Sequence, residues 1–177
     1  MSTSLVSELE RLADALESDG TASAEVSLPV IAEKIAKELR VKADEVAILA
    51  VSQRWRHLHF LAPHGLKNVG FIPLTSNSAL AARTARDSRP EINNNFSAVR
   101  HATVFEGVKA GTTTGESIQK IISAPMLFEG KVVGVIQISR KGGSLVSAGP
   151  DFTPEQLGRV LAICKPLGKL VSRLAGE

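Results

Sequence analysis

Apolar and polar positions along the chain follow two repeats, one typical of helices and one typical of strands. Near the N-terminus, leucines recur at spacings of four, three and four residues, which places them on one face of an amphipathic helix. These leucines are Leu5, Leu9, Leu12 and Leu16. The stripe covers about two heptads, too few for an independent coiled coil, so it is expected to pack on another surface.

A small, polar segment separates this helix from the rest of the chain. We predict an N-terminal helix in residues 1–20, a linker in 21–28 and one domain in 29–177. The domain opens with a helix that is capped by Ser27 and carries Pro29 in its first turn. The elements predicted after it are strands at 46–52, 57–62 and 69–75 and a short strand at 91–94. A helix is predicted between the last two, capped near Ser76 or Ser78 and ending before Pro90.

Residues 121–139, IISAPMLFEGKVVGVIQIS, are predicted to form a hairpin that turns at Glu129 and Gly130. The turn pairs Leu127 with Val132, and the same register carried along both strands decides which side chains share a face. One face then carries Ile121, Ser123, Pro125, Gly134, Ile136 and Ile138, and the other carries Ile122, Ala124, Met126, Val133, Val135 and Gln137. Because neither set is polar, both faces of the hairpin are expected to be covered.

The chain ends in a second amphipathic helix, with Thr153 as its cap and Pro154 in its first turn. Its predicted apolar stripe consists of Leu157, Leu161, Cys164, Leu167, Val171 and Leu174. A long polar segment, 95–117, lies between the short strand and the hairpin. Helices at both ends with strands between them predict an α+β domain built around an antiparallel sheet.

Composition narrows the class of protein without identifying it. The 177 residues are 44% hydrophobic and 22% charged, which is typical of a globular domain that can form a substantial core. The net charge of +3 is spread along the chain, which argues against nucleic acid as a partner. Cys164 is the only cysteine, and no apolar run reaches the ~20 residues of a membrane helix, so we expect a cytoplasmic protein without a membrane partner.

Three stretches, in this order, resemble the GAF domain family: GFIPLTSNSALAARTARDSRPEINN, ISAPMLFEGKVVGVIQIS and DFTPEQLGRVLAICKPLGKLV. The positions that match the family's habitual runs are Ile72-Pro73-Leu74, Leu80-Ala81, Arg89-Pro90, Ser123, Pro125, Gly130, Gly134 and Phe152-Thr153. The resemblance covers most of the chain, from Pro29 to Val171. It implies a six-stranded antiparallel sheet with the terminal helices packed on one face and a loop-covered small-molecule pocket on the other.

The pocket that the resemblance implies would combine apolar walls with a few amide, hydroxyl and imidazole groups, as small ligands require. The candidate ligand-binding residues are Phe71, Ile72, Leu74, Asn93, Asn94, Asn95, Phe96, His101, Val104, Phe105, Ser123, Pro125 and Gln137. Two simpler interpretations stay open. The aromatic residues could fill a closed core, and the asparagine run could form a turn, since asparagine tolerates left-handed geometry.

Other patterns are weaker candidates for chemistry. His57 and His59 share a strand face where a metal could bridge them, but no nearby Cys, Asp or Glu completes a set of ligands, so no metal site is predicted. Arg83 and Arg86 share a helix face that could hold an anion, although a solvated face is the favoured interpretation. The glycine-rich stretch GTTTGES, 111–117, lacks the lysine of a phosphate-binding loop.

No catalytic residues are predicted. Cys164 lies on the apolar stripe of the last helix, where a thiol is expected to be buried and inert. Two groups of GAF relatives depend on a cysteine at the pocket: free methionine-R-sulfoxide reductases and phytochrome-type domains that attach a bilin. The pocket region of this sequence contains no cysteine. The Asn, Lys, Phe, Asp and Glu set of the cyclic-nucleotide-binding branch is not recognisable either.

The resemblance therefore implies a sensory or regulatory domain that binds a small molecule of unknown identity, with no cofactor assigned. Ligand binding would change the packing of the terminal helices, which we expect to form a homodimer through Leu5–Leu16 and Leu157–Leu174. The alternatives are a ligand-free scaffold for protein interactions with the same fold and, less favoured, an enzyme related to the sulfoxide reductases.

Overall fold

Six strands form an antiparallel sheet in the computed structural model, which describes residues 4–18, 27–63, 70–96 and 117–175. The helices are α1 (Leu5–Ser18), α2 (Leu28–Leu39), α3 (Leu80–Asp87) and α4 (Pro154–Ala175). The strands are β1 (Val46–Ser52), β2 (His57–Ala62), β3 (Phe71–Pro73), β4 (Glu91–Asn93), β5 (Ser117–Phe128) and β6 (Lys131–Gly142). Their order across the sheet is β3-β2-β1-β6-β5-β4. The predicted α+β class with a six-stranded antiparallel sheet is confirmed.

The terminal helices and α2 cover one side of the sheet, called here the helical face. α1 packs along α4, and Leu9, Ala13 and Leu16 of α1 are buried in the same core as the inner side of α4. Leu5 and Leu12 are only partly buried against it. The N-terminal leucine stripe therefore finds its packing surface within the chain.

The apolar stripe of α4 differs from the prediction. Leu161 is 37% exposed, so its assignment to the buried stripe was wrong, while Val160, Ile163 and Leu170 are buried. The reason is that α4 is enclosed by both α1 and the sheet, which bury a wide stripe centred near Leu167. Leu161 lies about 120° around the helix from that centre, on the solvent side.

The hairpin of β5 and β6 pairs as predicted only near its tip. Leu127 pairs with Val132, but Met126 pairs with Gly134, because a β-bulge at Val133 inserts one extra residue into β6. The helical face consequently carries Ile122, Ala124, Met126, Gly134, Ile136 and Ile138, and the opposite face carries Ile121, Ser123, Pro125, Val135 and Gln137. Val133 lies on the helical face as predicted, but the predicted faces of β6 were wrong from Gly134 onward, since one inserted residue exchanges the two sides of a strand.

Helix α3 covers the opposite side of the sheet, called here the α3 face. A second core on this face joins Leu49 and Phe60 of the sheet to Leu80 of α3 and to Phe96. Both faces of the hairpin are therefore covered, as its apolar composition predicts. Among the described residues, no helix is long and apolar enough to cross a bilayer.

Pro125 lies inside β5 without disturbing the sheet. The last pair between β4 and β5 joins Glu91 to Ser123, so Pro125 lies just beyond the end of the short strand β4. A proline lacks the N–H that a neighbouring strand would require, and it is tolerated where that neighbour has ended.

Candidate functional site

Two predicted ligand-binding residues, Ser123 and Gln137, are fully buried at the centre of the α3 face. They belong to a chain of hydrogen bonds that ends on α3. Gln137 Nε2 donates to Ser123 Oγ (3.2 Å), Ser123 Oγ lies 2.7 Å from Thr84 Oγ1, and Thr84 Oγ1 donates to the carbonyl of Leu80 (2.9 Å). Because the Thr84 hydroxyl hydrogen is directed to Leu80, the Ser123 hydroxyl donates to Thr84. These polar groups hold α3 against β5 and β6.

The apolar candidates at this centre belong to the packed core. Ile72 and Phe96 are each 2% exposed and share one buried cluster on the α3 face. Pro125 is buried on the same face of β5, while Leu74 is only partly buried at the edge of the cluster. Their burial favours the core-filling interpretation of these side chains over direct contact with a ligand.

The asparagine run forms the turn that follows β4. The N–H of Asn95 donates to Asn93 Oδ1 (2.9 Å), a local bond that is typical of turns. The Asn94 amide makes two hydrogen bonds with the backbone of Phe152, at 3.1 Å to its carbonyl and 2.8 Å from its N–H. The three asparagines thus shape a turn and fix the segment before α4 to the end of β4.

Phe71 lies away from the other candidates. Its neighbour Ile72 points to the α3 face, so Phe71 points to the helical face, where it is 66% exposed and stacks on His57 at 4.1 Å between ring centroids. The prediction that Phe71 and Ile72 line one pocket is therefore wrong, because neighbouring strand residues face opposite sides. The remaining candidates lie outside the described residues: His101, Val104 and Phe105.

An open cleft of about 410 Å³ lies on the α3 face, at the end of the sheet where the β1–β2 and β5–β6 turns meet. Its apolar floor consists of Val51, Leu74, Ala85 and Val132, and its polar rim consists of Gln53, Arg56, Thr75, Arg86 and Lys131. We call it the α3 cleft. Its volume is within the range of pockets that hold small molecules.

The α3 cleft is strongly basic. Arg56, Arg86 and Lys131 line it, and none of its lining residues is acidic. Arg86 is fixed in place, because its Nη1 donates to the carbonyls of Leu74 and Ser76 at 2.6 Å each. Within the described residues, the hydrogen bonds of Arg86 use Nη1. The arrangement suits a molecule with an anionic group and an apolar body.

Sequence reasoning found only part of this cleft. Leu74 was a candidate, and Arg86 was considered as an anion contact together with Arg83, which instead pairs with Glu91 at 2.9 Å. Arg56 and Lys131 were missed because both lie at turns. The available signal was topological: β1 pairs antiparallel with β6, which brings the end of β1 and the start of β6 to one end of the sheet.

A second cleft of about 540 Å³ lies at the edge of the helical face, beside β2 and β3. It is lined by Ser52, Trp55, His57, His59 and Phe71, and we call it the aromatic cleft. Trp55 is 64% exposed, and the rings of His57 and His59 are 6.0 Å apart. Within the described ranges, no three His, Cys, Asp or Glu side chains are grouped closely enough to hold a metal ion.

The thiol of Cys164 is enclosed in the core of the helical face. It is 4% exposed, and burial raises its pKa to about 12. Since the thiolate and not the thiol is the nucleophile, Cys164 is protonated and unreactive near neutral pH. It also lies on the side of the sheet opposite the α3 cleft.

Comparison with known proteins identifies solved structures that share this architecture. No protein-family model and no curated protein matches the sequence. The GAF domain from Acinetobacter phosphoenolpyruvate-protein phosphotransferase is 16% identical, with a TM-score of 0.65 over 99% of this chain and 96% of that one. Residues 122 to 287 of a methyl-accepting chemotaxis protein are 14% identical, with a TM-score of 0.65 over 97% and 96%. Reduced fRMsr of Staphylococcus aureus is 16% identical, with a TM-score of 0.55 over 97% and 99%.

These similarities show that the chain has the GAF fold along its length, as its sequence motifs predict. At such identities they establish the fold alone. The same fold occurs in proteins as different as a chemotaxis protein and fRMsr, so the function of this chain has to be argued from its own sites.

Proposed function

We propose that this chain is a sensory or regulatory domain that binds a small anionic molecule in the α3 cleft. The observation that carries the proposal is the set of basic side chains Arg56, Arg86 and Lys131 around an apolar floor, with no acidic residue in the lining. The predicted site at the centre of the α3 face holds buried, mutually hydrogen-bonded groups running from Gln137 to Leu80. The open cleft beside that centre is the better place for a ligand.

The α3 cleft is connected to α4 through the tip of the hairpin. Val132 lines the cleft and pairs with Leu127 on the neighbouring strand. The backbone of Leu127 in turn lies against Gly168 of α4, where an added Cβ would be 2.6 Å from the Leu127 carbonyl oxygen. A ligand that displaces Val132 would move the surface on which α4 rests. The ligand would shift the equilibrium between two arrangements of α4 on the sheet toward the one that it binds more tightly. The size of the shift equals the difference between its two binding free energies.

We further propose that a homodimer transmits this change through the terminal helices, over Leu5–Leu16 and Leu157–Leu174. Partly buried Leu12 and exposed Leu161 leave apolar surface on both helices. Leu9 is already buried within the chain, so the dimer would use the outer sides of α1 and α4. A mass of one chain in light scattering at micromolar concentration would exclude this part of the proposal.

A ligand-free interaction scaffold is the second candidate. The aromatic cleft favours it, since Trp55 and Phe71 expose large aromatic side chains in one cleft, and aromatic residues are enriched in binding surfaces for proteins. Sulfoxide-reductase chemistry has no comparable support, because it needs a nucleophilic and a resolving cysteine. The sequence has only Cys164, whose pKa is raised to about 12 by burial.

Thermal unfolding in the presence of matched charged and uncharged compounds tests the α3 cleft. We would screen mononucleotides and sugar phosphates, each beside its uncharged nucleoside or sugar. At least one charged compound is expected to raise the unfolding midpoint while its uncharged partner does not. Lys131→Gln, which removes one charge from the cleft, is expected to weaken the apparent Kd about 5- to 20-fold.

Lys165→Gln is the matched control, because Lys165 is an exposed lysine of α4 outside the cleft. It is expected to leave the apparent Kd unchanged. Equal weakening by both substitutions would assign the effect to net charge and refute the cleft as the site. No response to any charged compound would favour the scaffold.

A further inference from the structure

One arginine is buried where the helices of the helical face meet the sheet. Arg140 of β6 is 7% exposed and lies between the end of α2 and the start of α4. Its Nη1 donates to the carbonyl of Arg40, the residue that ends α2 (3.0 Å), and its guanidinium carbon lies 4.8 Å from the centre of the Phe152 ring. Its Nε has no hydrogen-bond partner in the described part of the chain. Within the described ranges, this guanidinium with several N–H donors therefore makes one hydrogen bond.

The charge of Arg140 is only partly balanced by the protein. Burial lowers the pKa of this guanidinium, and the opposing influence comes from Glu45. The Glu45 carboxylate is itself engaged, since Oε1 accepts from the N–H of Lys42 (2.8 Å) and Oε2 from the N–H of Lys141 (2.6 Å). A buried charge without a directly paired counterion is costly, and a further anion would reduce that cost.

A cleft of about 600 Å³ opens beside Arg140, and we call it the junction cleft. Its charged lining residues are Glu38, Arg40, Arg140, Asp151, Glu155 and Arg159. Two of the acidic residues are already paired, Asp151 with Lys120 at 2.8 Å and Glu155 with Arg159 at 3.1 Å. The lining itself carries three arginines and three carboxylates, but because Lys120 outside the cleft pairs with Asp151, two arginines and one glutamate remain unpaired in the lining.

Helix α4 begins at this cleft. The N-terminus of a helix of 22 residues carries a partial positive charge that favours a nearby anion. Thr153 and Gln156 form a capping box there, with the N–H of Thr153 donating to Gln156 Oε1 (2.9 Å) and the N–H of Gln156 to Thr153 Oγ1 (3.2 Å). Because these N–H groups are occupied, Arg140 would supply the main hydrogen bonds and the helix dipole a smaller contribution.

We propose that the junction cleft binds a small oxyanion, a phosphate or carboxylate group, which pairs with the guanidinium of Arg140. Nη1 already donates to Arg40 and Nε is buried, so the anion would pair with the charge of the guanidinium and accept a hydrogen bond from Nη2. Bound there, the anion would link β6 to the ends of α2 and α4 and stabilise their packing. This site is on the helical face and shares no lining residue with the α3 cleft. An anion bound here would therefore act on the packing of α4 separately from a ligand in the α3 cleft.

Thermal unfolding of the full chain in sodium phosphate, sodium acetate and sodium chloride, at equal ionic strength and pH, tests this proposal. Saturating phosphate is expected to raise the unfolding midpoint by about 5 °C or more over chloride. A rise in both phosphate and acetate would show that either oxyanion is accepted, and a rise in phosphate alone would restrict the site to phosphate. Equal midpoints in the three salts would overturn the proposal.

Variants separate a bound anion from the general stabilising effect of phosphate. Arg140→Gln is expected to lose the increment that phosphate gives over chloride. Arg159→Gln, a change at the exposed rim, is expected to keep the fold and weaken the apparent phosphate affinity about 2- to 5-fold. Lys131→Gln, in the α3 cleft, is expected to keep the full increment.

Two results would refute the junction cleft as the site. One is a full wild-type increment in Arg140→Gln or an unchanged affinity in Arg159→Gln. The other is loss of the increment in Lys131→Gln, which would place the phosphate in the α3 cleft instead. If Arg140→Gln does not fold, the Arg159→Gln and Lys131→Gln variants decide between these outcomes.

Discussion

Phe96→Ala is expected to lower the free energy of unfolding by about 3–5 kcal/mol, because Phe96 is 2% exposed and its ring fills the core of the α3 face. The truncation leaves a cavity in the cluster that contains Leu80 and Phe60, and a packed core closes such a cavity only in part. Urea denaturation followed by circular dichroism measures the change.

Phe71→Ala is the matched control for this substitution. Phe71 is 66% exposed and stacks on His57, so its loss is expected to cost below about 1 kcal/mol. A cost below about 1 kcal/mol for Phe96→Ala as well would show that Phe96 is not part of a packed core. Its interpretation as a wall of an open ligand pocket would then be restored.

Gly168→Ala is expected to destabilise the protein by about 1–3 kcal/mol, because α4 lies directly against the backbone of β5 at this glycine. A Cβ on residue 168 would be 2.6 Å from the carbonyl oxygen of Leu127 and 3.3 Å from its carbonyl carbon and nitrogen. These are backbone atoms, which cannot move aside as the end of a flexible side chain can. The gain of ~0.5–1 kcal/mol that alanine brings to a helix interior is smaller than this strain.

Gly158→Ala, on the same helix, provides the comparison. A Cβ there would meet nothing within 4 Å, and the residue is exposed, so the substitution is expected to stabilise the protein by up to about 1 kcal/mol. Opposite signs for the two glycines are therefore expected in the same denaturation assay. If both substitutions stabilise the protein, the close contact between Leu127 and Gly168 is contradicted, and so is the proposed connection from the α3 cleft to α4.

The fold could be predicted from the sequence because its signals are local and agree with one another. Ser27 caps α2 as expected, accepting the N–H of Val30 at 3.4 Å, and Thr153 caps α4 with Gln156. The apolar hairpin required cover on both faces and has it, from the terminal helices on one side and α3 on the other. Each of these features depends on a few neighbouring residues, so a single sequence is enough to identify them.

The register of the hairpin could not be predicted in the same way. The bulge at Val133 lies next to Gly134, and an isolated glycine in a strand often marks a bulge, but the alternation does not show which residue is the extra one. The reason for the bulge lies elsewhere in the fold, since it turns Gly134 toward Leu49 and Met126, where a Cβ would be 2.3 Å and 2.6 Å from their nearest atoms. Such close approach between strands is not visible in one sequence.

The candidate site was predictable only in outline. Ser123 and Gln137 were recognisable as polar residues in an apolar hairpin, but their link to Thr84 depends on tertiary contacts between distant segments. Arg56 lies in the β1–β2 turn and Lys131 is the first residue of β6, and neither carries a motif that singles it out. The side chains that define the α3 cleft are thus brought together by the order of the strands in the sheet. The sequence pattern of the separate strands does not give that order.

A crystal structure of the full chain with the strongest charged binder from the screen tests most directly whether the ligand of this domain lies in the α3 cleft. We expect density for the anion beside Arg86 and Lys131, with the hydrogen bond between Thr84 and Ser123 intact. Density for the ligand at Gln137 instead, with the Thr84–Ser123 bond broken, would contradict the assignment and return the site to the centre of the α3 face.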